Sequence, residues 1–218
     1  MLNSDEIINR QIFVAGTYSN SSFTNACYDL RISDFILVDN VSTKLSKFEL
    51  RPREMVVVVT SEEFDMPNDV VAYTTLNNDL SIKGILAINT GIVDPLFKGP
   101  ISTELINFGK KKILLSKSDP VMRVTFHDFD VPAHQRSKSL VFTRKSYTDN
   151  RHVNALEYLG RTFLNIDLIK EDVLHHVRTT LKEEENSINN RLIWLGVKLG
   201  VLTVFVTIIC YLIGLFNK

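Results

Sequence analysis

Apolar positions fall into three regimes along the chain. Up to about residue 150 they form short runs of strand length, at 35–38, 55–59, 70–73, 85–88, 113–115, 121–126 and 140–142, separated by polar or Pro-containing breaks. Runs this short, bounded by turn residues, predict the strands of a β-sandwich or barrel. Arg51-Pro52-Arg53-Glu54 and Met66-Pro67-Asn68-Asp69 predict turns, because Pro fixes φ and Asn or Asp accepts turn conformations. Lys110-Lys111-Lys112, after Asn107-Phe108-Gly109, predicts a solvated hairpin tip.

Beyond about Tyr158 the spacing lengthens to a helical period, with no Gly or Pro between Gly160 and Arg191. Leu174, Leu181, Ile188 and Leu195 recur every seven residues, and Val177 opens a second series that Glu184 and Arg191 interrupt. This short heptad signal predicts a helical stalk over residues 151–191. Two outcomes are open for it: loose self-association, or one amphipathic helix packed on its own domain. His175 and His176 are adjacent, so they do not share a face as metal ligands four apart would, and both are expected in solvent.

The third regime, residues 192–216, reads LIWLGVKLGVLTVFVTIICYLIGLF and is free of charge from Leu199 onward. A helix needs about 20 residues to cross the hydrocarbon layer. Trp194 and Tyr211 stand near the two ends, where amphipathic rings prefer the headgroup level, and Lys198 is close enough to one end to snorkel. A transmembrane tail anchor follows. The N-terminal MLNSDEIINRQIF lacks a charged-then-apolar leader, only Asn217 and Lys218 follow the span, and Arg191 and Lys198 flank it upstream. The expected topology is a single-pass membrane protein with its N-terminal domain in the cytoplasm.

Composition narrows the chemistry. The 218 residues hold 25 Lys+Arg and 25 Asp+Glu, a net charge of zero that argues against a strongly basic nucleic-acid binder. No nucleic-acid partner is expected. Cys27 and Cys210 are the two cysteines, too few for a disulfide framework or a cysteine zinc site. In His127-Asp128-Phe129-Asp130 the metal-friendly groups would alternate across a strand, so no metal site is assigned. Neither a Gly-rich phosphate loop nor a nucleophile elbow occurs.

Four short motifs, in order, add a family resemblance. Ala26-Cys27-Tyr28-Asp29-Leu30-Arg31-Ile32-Ser33 is similar to the early D-L-R-L-G segment of the dCTP deaminases. Leu50-Arg51-Pro52-Arg53-Glu54-Met55, then a Val run, resembles their L-x-P-G-E turn and strand. Gly91-Ile92-Val93-Asp94-Pro95-Leu96-Phe97-Lys98-Gly99 resembles G-x-I-D-P-G-F-x-G, and Gly99 to Asn107 resembles G-x-I-T-L-E-L-x-N. The ten-residue step from Asp94 to Glu104 matches the family spacing.

The resemblance implies an all-β, dUTPase-like distorted barrel or jelly roll over residues 1–150. It also implies a homotrimer with active sites shared between subunits, and deoxypyrimidine triphosphates bound with Mg2+. By the same resemblance Glu104 is the acid/base on the attacking water, a task that needs a carboxylate to move a proton from water to the departing amine. Asp94 would contact the deoxyribose and help orient water. Gly91 and the segment Asn77-Asn78-Asp79-Leu80-Ser81-Ile82-Lys83-Gly84, aligned with the family's R-S-S-L-A-R-x-G, would line the nucleotide site. There Asn77 and Ile82 replace the two Arg, Asn78 and Asp79 replace the two Ser, and Lys83 stands where the family has an apolar residue. Arg is the natural counterpart of a polyphosphate, so its loss weakens that grip. Leu96 also replaces a motif Gly, and Phe126 stands where a Gln would be. Arg136, Lys138, Arg144 and Lys145 follow, in a segment with two outcomes open: an ordinary solvated connector, or a counterpart of the family's closing arm that would restore phosphate contacts.

Three functional readings result. The first is a catalytically degenerate, membrane-anchored module, a pseudoenzyme that binds or senses a nucleotide. The alternative is an active dCTP deaminase or dUTPase with Glu104 as acid/base. The third is a trimeric membrane scaffold with an empty pocket.

Overall fold

The computed structural model describes residues 1–24, 26–37, 45–89, 91–130, 140–164 and 166–216. They form two compact units, Met1–Asn165 and Ile166–Lys218.

The first unit is mostly β. It opens with α1 (Ser4–Asn9), closed by a capping box in which Asn3 accepts from the Glu6 amide and Glu6 accepts from the Asn3 amide. The strands are β1 (Phe23–Thr24), β2 (Cys27–Ile36), β3 (Lys47–Leu50), β4 (Met55–Thr60), β5 (Phe64–Asp65), β6 (Val70–Leu76), β7 (Ile85–Ala87), β8 (Ile92–Val93), β9 (Lys98–Gly99), β10 (Ser102–Asn107), β11 (Ile113–Ser116) and β12 (Pro120–Asp128). A short helix, α2 (Asn78–Ile82), separates β6 from β7, and α3 (Arg144–Tyr158) follows the last strand. One curled sheet runs β7-β10-β4-β2-β12-β6-β8, with β1 on β2; β11-β3 and β5-β9 form two small ribbons. The result is the half-closed barrel that the motif order implies.

Burial explains the strand patterns. In β12 Met122, Val124 and Phe126 point into the barrel opposite Leu76, Thr74 and Ala72 of β6, while Arg123 and Thr125 are half exposed. Phe13 anchors the centre, its ring 4.7 Å from Tyr28, 5.1 Å from Phe64 and 5.6 Å from Phe126. β4 instead reads as an unbroken apolar run because both its faces are covered. Val56 and Val58 join the barrel core, whereas Val57 and Val59 join Ile36, Tyr147 and Ala155 in a second cluster under α3. Glu62 is fully buried beside this wall; its carboxylate accepts from the Tyr28 hydroxyl at 2.8 Å, the Arg31 amide at 2.9 Å and Arg31 Nε at 2.8 Å. Burial, together with the neighbouring Glu62 charge, pushes the Tyr28 hydroxyl up to about 12.

Several sequence expectations change. The run at 140–142 forms no strand, only a single bridge from Val141 to Lys98, because its backbone pairs across one residue of β9. Lys110 to Lys112 do not tip a hairpin: β11 pairs with β3 rather than β10, so the lysines link two sheets, and Lys112 Nζ pairs with Glu49 at 2.9 Å. β2 begins at Cys27, well before the apolar run at 35–38, because the polar-looking segment before it alternates buried and half-exposed positions. Residues 144–158 form α3, which packs on the sheet, so residues 151–158 of the expected stalk belong to the first unit. After α3 the chain is pinned to the start of β4: the Met55 amide donates to the Arg161 carbonyl at 3.0 Å, and the Phe163 amide to that of Arg53 at 2.9 Å.

The second unit is a single helix, α4 (Ile166–Phe216). Within Ile169–Ile209 an 18-residue window reaches a mean hydropathy of 2.3, and the helix is long and apolar enough to cross a membrane. Within it Thr203 and Thr207 return their hydroxyls to the carbonyls of Leu199 and Thr203, at 2.9 and 2.6 Å. Leu174, Leu181, Ile188 and Leu195 are exposed along the helix, as are His175 and His176.

Candidate functional site

A cavity of about 520 Å3 lies between the loop around β8, the start of β10 and α3. That volume suits a small-molecule site. The 91–99 segment is held rigidly. Gly91 exchanges hydrogen bonds with Thr74, its amide donating to Thr74 Oγ1 at 3.0 Å and its carbonyl accepting the Thr74 amide at 2.9 Å. β8 then pairs with β6, and the chain turns at Pro95-Leu96, where the Phe97 amide donates to the Asp94 carbonyl at 3.3 Å. Gly99 closes the segment at φ 131°, and a Cβ there would meet the Phe142 carbonyl oxygen at 2.9 Å. Only glycine fits.

The backbone also accounts for two departures from the motif glycines. Arg53 sits at φ 70° and Leu96 at φ 64°, each at a position where the motif has Gly. Both turns are left-handed without the residue that most favours that conformation.

Asp94 and Gly91 line the cavity. Glu104 does not; it is half-buried in the middle of β10, opposite Val57 of β4. It shares a strand face with Ser102, which does line the cavity, at a spacing of about 7 Å along the strand. Among the described residues, Asp94 and Glu104 therefore do not line this cavity together. Asn77 is buried and caps α2, its side-chain oxygen accepting the Asp79 amide at 2.9 Å. Asn78, Asp79 and Lys83 are exposed and do not line the cavity. Arg136 and Lys138 lie outside the described residues.

Arg144 is not available to a phosphate. Its Nε donates to Glu63 Oε1 at 2.8 Å, Nη1 to the Thr60 carbonyl at 2.9 Å and Nη2 to the Ser61 carbonyl at 2.8 Å. These bonds moor the first turn of α3, which Thr143 and Ser146 close with a capping box. From there Tyr147, Asn150, Arg151 and Asn154 follow at helical spacing and form one wall of the cavity. Tyr147 and Ser102 share a hydroxyl contact of 3.2 Å, and the Arg151 guanidinium stands 5.2 Å from the Tyr147 ring. The capping pattern Thr143-x-x-Ser146 and that spacing are the signals by which the helix could have been found.

Comparison with known proteins fits this frame. Residues 29–129 match the family model described as dCTP deaminase-like. The chain carries a dCTP deaminase-like domain. It is 26% identical to a dCTP deaminase of Pyrococcus abyssi over 160 residues, covering 67% of this chain and 100% of that protein. It is 30% identical to a dUMP-forming dCTP deaminase of Dictyoglomus thermophilum over 130 residues, which are 57% of this chain and 61% of that one. A similar dUMP-forming deaminase of Methanosphaera stadtmanae is matched at 27% over 126 residues, 58% of its length. Among solved structures, the 2'-deoxycytidine 5'-triphosphate deaminase of Agrobacterium tumefaciens aligns with TM-score 0.47 and 11% identity over 55% of this chain and 45% of that one. A dUTPase from the Staphylococcus aureus phage phi11, whose structure shows a structural Mg(II) ion, aligns with TM-score 0.41, 14% identity, and coverage of 57% and 90%.

The deaminase-like domain thus spans β2 to the end of β12, with α1 before it and α3 after it. Within it, Gly84 at φ 85° packs on Gly109, whose Cα lies 2.9 Å from where a Gly84 Cβ would be. That close approach holds the end of α2 against the loop after β10.

Proposed function

We propose that the chain is a membrane-anchored, catalytically degenerate relative of the dCTP deaminases that binds and senses a deoxypyrimidine nucleotide. The observation that carries this reading is the division of the family pair: Asp94 lines the cavity, and Glu104 does not. The Arg-free α2 segment points the same way, since Asn77 is used as a helix cap and neither Asn78 nor Asp79 offers a cation. Exposure of Asn78, Asp79 and Lys83 suits sites completed by a second copy, as a homotrimer with shared sites would do. Among the described residues no three His, Cys, Asp or Glu side chains cluster to hold a metal. Any Mg2+ would arrive bound to the nucleotide's phosphates, where one or two carboxylates suffice to hold it. α4 serves as the anchor, with the β-unit in the cytoplasm.

An active enzyme is the second reading, favoured by the half-buried Glu104 beside Ser102 on the same strand face. One experiment separates the two. The 218-residue chain, purified in detergent, is incubated with dCTP or dUTP and Mg2+, and products are resolved by chromatography. The sensor reading expects nucleotide binding without dUTP or dUMP formation, and unchanged binding in Glu104→Gln. Product formation that disappears in Glu104→Gln would establish catalysis and overturn it.

A further inference from the structure

Helix α3 lies outside residues 29–129, which match the family model, yet it supplies a whole wall of the cavity. Its contribution is chemically distinct from the rest. Among the described lining residues, Arg151 and Asp94 are the charged groups, one of each sign. Arg151 enters no ion pair among the described residues; its guanidinium stands over the Tyr147 ring, and both residues line the cavity. Asn150 and Asn154, one turn apart on the same face, each bring an amide with both donor and acceptor groups. Phe97 and Phe142, with ring centres 6.1 Å apart, add aromatic surface. Such a wall is equipped to hold one phosphate and a polar ring.

We propose that α3 is the ligand-selecting element of this cavity, and that Arg151 binds a single phosphate, so the ligand is a nucleoside monophosphate rather than a triphosphate. This rests on the nucleotide-binding reading above and names the ligand class for that site. The reason is charge balance. One guanidinium pairs bidentately with one phosphate group, which carries about −1.5 to −2 at neutral pH. Among the described lining residues a further phosphate would find no second cation, and the other charged group there is the Asp94 carboxylate. That carboxylate is an acceptor, suited instead to a ligand hydroxyl.

The test measures binding to the 218-residue chain in detergent by calorimetry, with deoxycytidine, dCMP, dCTP, deoxyuridine, dUMP and dUTP as probes. A monophosphate is expected to bind tighter than both its nucleoside and its triphosphate. Arg151→Met, which keeps the side-chain bulk on Tyr147, should weaken monophosphate binding about 10- to 100-fold and leave nucleoside binding within about twofold. Arg151→Lys should recover part of the loss. Triphosphate preference in the unsubstituted chain, or no effect of Arg151→Met, would overturn the inference and leave the nucleotide-binding reading standing. No binding of any probe would overturn both. The phosphate series on the unsubstituted chain decides the matter even if the variant does not fold.

Discussion

Arg144→Met should release α3 from the sheet while leaving the barrel intact. In the folded chain this one guanidinium donates to Glu63 and to the Thr60 and Ser61 carbonyls, all at 2.8–2.9 Å. Hydrogen bonds to a charged group contribute about 1.5–3 kcal/mol each, but Arg144 is 31% exposed and Glu63 24%, so water replaces part of what is lost. A net loss of about 2–4 kcal/mol in the mooring of α3 is reasonable for three bonds sharing one donor group. Met keeps the apolar stem, and the second cluster around Val57, Val59 and Ala155 is untouched. The deficit therefore falls on local opening rather than on the barrel. Hydrogen exchange read by mass spectrometry on the 218-residue chain should show α3 amides losing protection by about 30- to 800-fold, with β4, β10 and β12 within about threefold of the unsubstituted protein. Unchanged protection in α3 would refute the mooring. Equal loss in α3 and β12 would show that the helix and the barrel open as one unit, which is also incompatible with it.

Two further expectations concern the barrel. Because the buried Tyr28 hydroxyl holds its proton more tightly folded than unfolded, its contribution is complete below about pH 10 and lost as pH rises toward about 12. The difference in stability between the unsubstituted chain and Tyr28→Phe should thus shrink by about 2 kcal/mol between pH 10 and 12 in urea unfolding, and a constant difference would refute the assignment. Gly84→Ala should destabilise by more than about 1 kcal/mol, since it combines φ 85° with a 2.9 Å approach to Gly109, whereas Arg53→Gly and Leu96→Gly should be neutral or stabilising by up to about 1 kcal/mol. Melting temperatures of the three variants check this, and a lowered value for either glycine variant would count against left-handed strain at that position.

What the sequence revealed depended on whether the determinant was local. β4 and β12 were legible because burial on two faces or one writes itself directly into an apolar run or an alternation. α4 was legible because its second half is an apolar run long enough to cross a membrane. Asp94 and Gly91 were found through a motif whose spacing follows the turn it builds. α3 escaped because its sequence, RKSYTDNRHVNALEY, buries little: Tyr147 and Ala155 are its buried residues, so the apolar stripe that marks a packed helix is missing. The same poverty of apolar positions is what gives the helix its polar wall. Glu62 escaped for the opposite reason, since nothing near it in sequence announces that Tyr28 and Arg31, 34 and 31 residues away, will satisfy a buried carboxylate. Nor did anything local place Glu104 outside the cavity. Its side chain leaves the outer face of β10, two positions beyond Ser102, and which stretch of that face becomes a cavity is decided by where α3 lands. A motif can keep its residues and spacing while a helix outside it decides which of them line a cavity. The lining of this cavity is therefore set as much by the Arg144 mooring as by the motif that carries Asp94.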